Sequence, residues 1–277
     1  MLYVVERINR ECGSHFDFIV NSIFPELTLC LETSSQMIFF AGDPDIFHQR
    51  YSAWLKFIDE LEHLTTKTLK TSSTYQQFSS RWDLVVYYQI RFQDISTAIE
   101  NILLNQPFEF NQQQTDSKFK TLIISTVFQS IQRCWQNDIY LETLIHQFWK
   151  LTLQCLVRIR LWIESLNCKT IEINFLVNLY VDMETLVNQM KEFFRNHIVK
   201  QRLITETISN DLQIILDQTF RDVNEYSRTI LKQAIVNQLI HRCNETLHSI
   251  QDIPRMYRKT NRDVMRKLFP HVDMGKI

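Results

Sequence analysis

Nucleophilic catalysis needs a nucleophile, a base and a group that orients the base. The chain holds six cysteines and eight histidines. None of them sits in a spacing that announces such chemistry. There is no Gly-x-Ser-x-Gly elbow, no His-Glu-x-x-His pair and no Cys-x-x-Cys pair. All-helical isoprenoid chemistry uses Asp-rich boxes for Mg²⁺, and no Asp-Asp pair occurs. The nearest approach to a metal cluster is His241, Cys243 and His248. On a helix the two histidines share a face, while Cys243 points about 200° away from His241. Surface histidines and a core cysteine are the simpler reading. The sequence therefore predicts no enzyme, with no catalytic residue, no cofactor and no metal.

One charged feature stands out. Arg255, Arg258, Lys259, Arg262, Arg266 and Lys267 fall close together, opposed only by Asp263. Such a segment suits an anionic membrane surface or an acidic partner. It equally suits a solvated helix end, where cations oppose the helix dipole. Arg255, Tyr257, Arg258, Lys259, Asn261 and Arg262 are the expected partner or junction contacts. Tyr257 and Asn261 are one helical turn apart and are expected to pack across a junction at Pro254.

The elements behind these residues must be helices. The 277-residue chain has three glycines and five prolines, against roughly 19 glycines at average usage. Dinucleotide folds, P-loops, sandwiches and barrels all need more turn residues. With 45% hydrophobic and 22% charged residues the chain is too apolar for disorder. A net charge of −1 gives no reason to expect nucleic acid. No window is long and apolar enough to span a membrane, and Met1 to Val5 is not a secretory signal. The cysteines read as reduced cytosolic thiols, largely in the core.

Periodicity fills in the elements. Phe16, Ile19, Ile23 and Leu27 form a helical stripe in the first forty residues. Gly42 turns the chain, Asp43 caps the next helix and Pro44 opens it. Phe47, Tyr51, Trp54 or Leu55, Ile58 and Leu61 mark its buried face. Residues 65–74 read as a loop. A helix over 81–104 buries Leu84, Tyr87 or Tyr88, Phe92, Ile95 and Ile99. Residues 105–117 read as a mobile surface loop, and 118–136 as a shorter helix. Asp138 is placed to cap a helix reaching Leu166, whose wide apolar arc demands more than one neighbour. After a short turn, a helix over 171–198 should return antiparallel. A long stripe then runs through Ile208, Leu212, Ile215, Val223, Tyr226, Ile230, Ala234 and Asn237. Pro254 should end that helix.

The expectation is an all-α fold, an elongated helical rod of antiparallel helices packed in bundles end to end. Its parts would be a helical region 1–105, a flexible loop 106–117, a long-helix bundle 118–253 and a basic segment 254–277. No fixed-period repeat supports a solenoid.

Particular strings carry more information than periodicity. They are Phe16 to Glu26, Phe40 to Tyr51 (Phe-Ala-Gly-Asp-Pro-Asp-Ile-Phe-His-Gln-Arg-Tyr) and Trp82 to Phe92. Arg133-Cys134-Trp135 with Leu144 to Gln154 follows, then Ile253 to Val264 (Ile-Pro-Arg-Met-Tyr-Arg-Lys-Thr-Asn-Arg-Asp-Val). In this order they resemble the subunit 2 family of the conserved oligomeric Golgi complex, one of the multisubunit tethers built on helical rods. The resemblance implies a non-enzymatic role in intra-Golgi retrograde transport, Golgi organisation and glycosylation. It implies a peripheral protein of the cytosolic face of Golgi membranes, with a cytosolic pool. Implied partners are the other subunits, chiefly those of the first lobe, with SNAREs, Rab GTPases and golgins. Family members also carry an N-terminal coiled coil and a continuation beyond Val264. The chain is therefore expected to be a central piece lacking both. A subunit of another helical tether, exocyst-like or endosomal, or a generic α-helical scaffold would share the fold but not these strings.

Overall fold

The computed structural model describes residues 17–34, 36–65, 69–111, 118–199 and 206–268. The helices are α1 (Phe24–Ser34), α2 (Pro44–Glu62), α3 (Ser73–Ser79), α4 (Leu84–Asn105), α5 (Leu122–Cys134), α6 (Ile145–Ser165), α7 (Ile173–Phe193) and α8 (Glu206–Leu268). No strand occurs among the described residues, only an isolated bridge between Phe110 and Thr121. The fold is the all-α arrangement the sequence implies.

α2 follows its sequence signals closely. The Asp43 carboxylate accepts from the amides of Asp45 and Ile46, both at 3.0 Å, and Pro44 occupies the first turn. This satisfies two amides that have no partner within the helix. Phe47, Tyr51, Trp54, Ile58 and Leu61 are buried, so Trp54 rather than Leu55 takes the inward position. Gly42 stands in the bend before α2, as expected, and its backbone is not left-handed; a Cβ there would run into the Phe40 ring.

Other boundaries move. The first stripe is broken into a π-helical turn (Ile19–Ile23), α1 and a 3₁₀ turn (Gln36–Phe39). The stretch 65–74 is not simply a loop. Leu69 is buried in a 3₁₀ turn, and Ser72 caps α3 by accepting from the Tyr75 amide at 3.2 Å. In α4, Tyr87, Ile95 and Ile99 are buried as expected, but Phe92 is exposed and Arg91 takes an inward position. Asp138 does not cap α6. The chain enters that helix through Leu141 and a 3₁₀ turn, without a side-chain cap.

Around 105–117, the flanks pair with each other. The Asn111 amide donates to Lys120 O at 2.8 Å and the Leu122 amide to Glu109 O at 3.0 Å. Phe108 and Phe110 both pack edge-on against Phe175. The rest of that expected loop, 112–117, lies outside the described residues.

Side-chain pairs fix the helix directions. Trp149 of α6 meets Phe194 just past α7, while Trp162 and Phe175 share Phe108 at the other end. α6 and α7 are therefore antiparallel, as the short turn predicts. Lys191 meets Asp217, Glu184 meets Arg228, and the carbonyls of Cys168 and Ile171 meet Gln238. α8 thus returns antiparallel along α7, and it also packs on α6. Its buried residues are Leu216, Phe220, Val223, Ser227 and Leu231. The expected stripe is rotated: Ile215 and Tyr226 are exposed, and the side chains of Ile208 and Leu212 lie outside the described residues. α8 has apolar residues on more than one face, and the groove between α6 and α7 selects which is buried.

α8 also overturns the expected stop at Pro254. The helix runs on to Leu268. A proline removes one amide donor and crowds the preceding turn, which is a local loss. Helical turns on both sides carry the backbone through it.

Candidate interaction surface

The region where α8 leaves the bundle is built from a latch, a cleft and an arm. Gln238 is the latch. Its amide nitrogen donates to Cys168 O at 2.5 Å and to Ile171 O at 2.9 Å. Both acceptors belong to the short connection between α6 and α7. Just before it, Arg228 donates to the Tyr180 hydroxyl at 2.7 Å, with its guanidinium over the same ring. On the other side, Tyr226 donates to Glu164 at 2.9 Å and carries Arg160 over its ring. α8 is held by these polar and cation–π contacts from both α7 and α6.

A cleft of 880 Å³ opens beside the latch. Leu166, Ile230 and Ala234 supply apolar wall, and Lys169, Gln233 and His241 supply polar rim. His241 lies 3.4 Å from Glu245 on its own helix, and both are exposed. No group of three His, Cys, Asp or Glu residues able to hold a metal occurs among the described residues. Cys243 is exposed, not in the core as expected for the set around His241.

Past Gln238 the arm begins. Every residue from Leu239 to His248 is exposed. Leu239, Ile240 and Leu247 are 49%, 53% and 58% exposed. The expected stripe ends at Asn237, so these three apolar residues lie beyond it. Of the expected contact residues, Arg258 is exposed. Arg255, Tyr257, Lys259, Asn261 and Arg262 share the same helix, but their side chains lie outside the described residues. The expected turn at Pro254 is not present, so these six residues form part of a continuous helix and not a bend.

Elsewhere, polar groups are consumed in holding helices together. Arg91, 4% exposed, donates to Asp45 and to the Tyr87 hydroxyl, which in turn donates to Ile139 O. Arg158 grips Glu100 with two bonds of 2.5 and 2.8 Å, joining α6 to α4. The hydrogen bond from Arg91 holds the Asp45 carboxyl below its ordinary value, and Arg158 does the same for Glu100. Burial raises the Cys155 thiol to about 12 and pushes the Cys134 thiol well above its ordinary value, so both are inert packing groups.

These features define an all-α bundle from which one long helix extends. No helix among the described residues is long and apolar enough to cross a membrane. A family model described as COG complex component, COG2, C-terminal matches residues 80–274, and the chain belongs to that family. The match carries ten residues past Val264, where the quoted strings end. The chain is also similar to the conserved oligomeric Golgi complex subunit 2 of Homo sapiens, at 25% identity over 93% of this chain and 41% of that protein. The Drosophila melanogaster protein of that name is 26% identical over 93% of this chain and 39% of the relative. For Arabidopsis thaliana the figures are 24%, 94% and 38%. The chain thus spans about two fifths of the length of these relatives. No solved structure matches it.

Proposed function

We propose that the chain acts as a non-enzymatic part of a Golgi vesicle-tethering complex, in intra-Golgi retrograde transport. Family membership across residues 80–274 is the observation that carries this reading. The helical architecture supports it, because a tether needs reach and several contact faces more than a reaction pocket. The proposed partners are the other subunits of the complex, chiefly of its first lobe, and then SNAREs, Rab GTPases and golgins. The site of action is the cytosolic face of Golgi membranes, reached peripherally and exchanging with a cytosolic pool. Through that traffic the protein would maintain Golgi organisation and glycosylation. The contact residues proposed on α8 are Arg255, Tyr257, Arg258, Lys259, Asn261 and Arg262.

The test is affinity purification of the tagged protein at native expression level. Recovery of the other Golgi tether subunits is the expected result. Recovery of exocyst or endosomal tether subunits in their place would overturn the reading.

A further inference from the structure

α8 meets α6 and α7 along a narrow line. Leu216, Phe220, Val223, Ser227 and Leu231 are its buried residues, spaced four, three, four and four apart. Such a line does not by itself fix where the helix stops along its groove. Moved outward by four residues, about one turn, α8 would set Leu212, Leu216, Thr219, Val223 and Ser227 in the same five seats. Each seat again receives an apolar side chain or a small hydroxyl. The opposite movement would put the amide of Asn224 in the seat of Phe220 and that of Gln238 in the seat of Ala234, which packs on the core. The apolar pattern therefore accepts a second register in one direction only.

Polar groups tell the two registers apart. In the present one Arg228 stacks on Tyr180 and pairs with Glu184 at 3.4 Å, and Gln238 bonds the carbonyls of Cys168 and Ile171. One turn outward, Asn224 would stand in place of Arg228 and Ala234 in place of Gln238, so these ties would be lost. The same layer carries a cost. Ser227 is wholly buried. Its Oγ, Asn224 Oδ1 and Arg228 Nε are buried atoms with no hydrogen-bond partner among the described residues. Buried polar groups lower stability, and their best-attested use between helices is to select one register.

We propose that this layer is a register lock. It holds α8 in the inner of two positions one turn apart, and opening it advances the arm beyond Gln238 by about 6 Å. Packed helices move past one another in such discrete steps because the positions between them do not pack. The connection from Lys200 to Thr205 has enough residues to follow a displacement of that size.

The test reads the position of the arm in the full chain by pulsed electron paramagnetic resonance. Nitroxides are attached at Lys169→Cys and Arg258→Cys, both exposed positions, with Ser replacing Cys12, Cys30, Cys168 and Cys243. Lys169 is level with Gln238, and Arg258 lies twenty residues further along α8. The parent should therefore give one distance of about 30 Å. Arg228→Leu with Gln238→Ala should add a second peak about 6 Å longer and raise its share at least about tenfold. Ser227→Leu should do the same with both ties intact, because one turn outward its side chain enters the seat now filled by Leu231. A single unshifted distance in both variants would overturn the proposal even if their melting temperatures fell, since the layer would then serve stability alone. So would a distance that only broadens or shortens, which would report an arm that bends or frays without sliding.

Discussion

Asp182 is a carboxylate almost wholly buried on α7, yet it is not idle. It accepts from the Lys120 amide at 3.0 Å, the Thr121 amide at 2.7 Å and the Thr121 hydroxyl at 2.6 Å. These donors lead into α5, so Asp182 fixes from another helix the two residues from which α5 starts. Removing it would strand buried donors. Asp182→Ala should cost about 3 kcal/mol, or roughly 6–10 °C in melting temperature, with Asp182→Asn losing less. A melt within a degree of the parent would refute this role. Acid should act through two other carboxylates. Asp45 and Glu100 lie below their ordinary values of 3.8 and 4.5 when folded. Their stabilisation is therefore full above those values and is lost as pH falls through the lowered folded ones. Both groups are largely exposed and screened, so the effect is modest. Stability measured by urea should decline below about pH 4, and Asp45→Asn with Glu100→Gln should flatten that decline. None of these pairings could be read from the sequence, because their partners lie between 46 and 62 positions away. The Asp43 cap was legible because its partners are two and three residues on.

At the scale of elements, local signals succeeded where one neighbour decides the outcome. The glycine deficit, the Asp43-Pro44 start and the wide arc of α6 all specified what formed. They failed where two faces compete. α8 presents apolar residues around much of its circumference, and its inward face follows from contact with α6 and α7. Pro254 shows the same limit: a strong local breaker is overridden when helix continues on both sides. The arm should nevertheless register the missing hydrogen bond. Pro254→Ala should stabilise that segment by up to about 3 kcal/mol, the usual difference between these residues inside a helix. Amide exchange should slow in the turns flanking position 254 while rates in α4 and α6 stay as they were. Faster exchange there, or none slowed, would mean that proline is favourable at this site.

For the molecule as a whole, the continuity of the core decides how its parts unfold. The sequence divides at the polar stretch 106–117, suggesting a helical region before it and a bundle after it. Yet buried side chains form a single cluster from Ile19 to Leu231. Specific ties cross the division. Tyr87 donates to Ile139 O, His48 bonds to Tyr140 O at 3.1 Å, and Tyr51 reaches Thr143 at 3.4 Å. An aromatic contact continues the junction, with Tyr88 edge-on to Phe148. α4 therefore belongs to both sides at once, and neither side can melt without exposing the other's buried surface. Calorimetry should show one transition, with van't Hoff and calorimetric enthalpies near equality. Ile139→Gly or Tyr87→Phe should lower that transition without splitting it. Two resolved peaks in the unmodified chain would show that the division at 106–117 is energetic as well as compositional. A single peak would mean that the buried cluster from Ile19 to Leu231 unfolds as one cooperative unit.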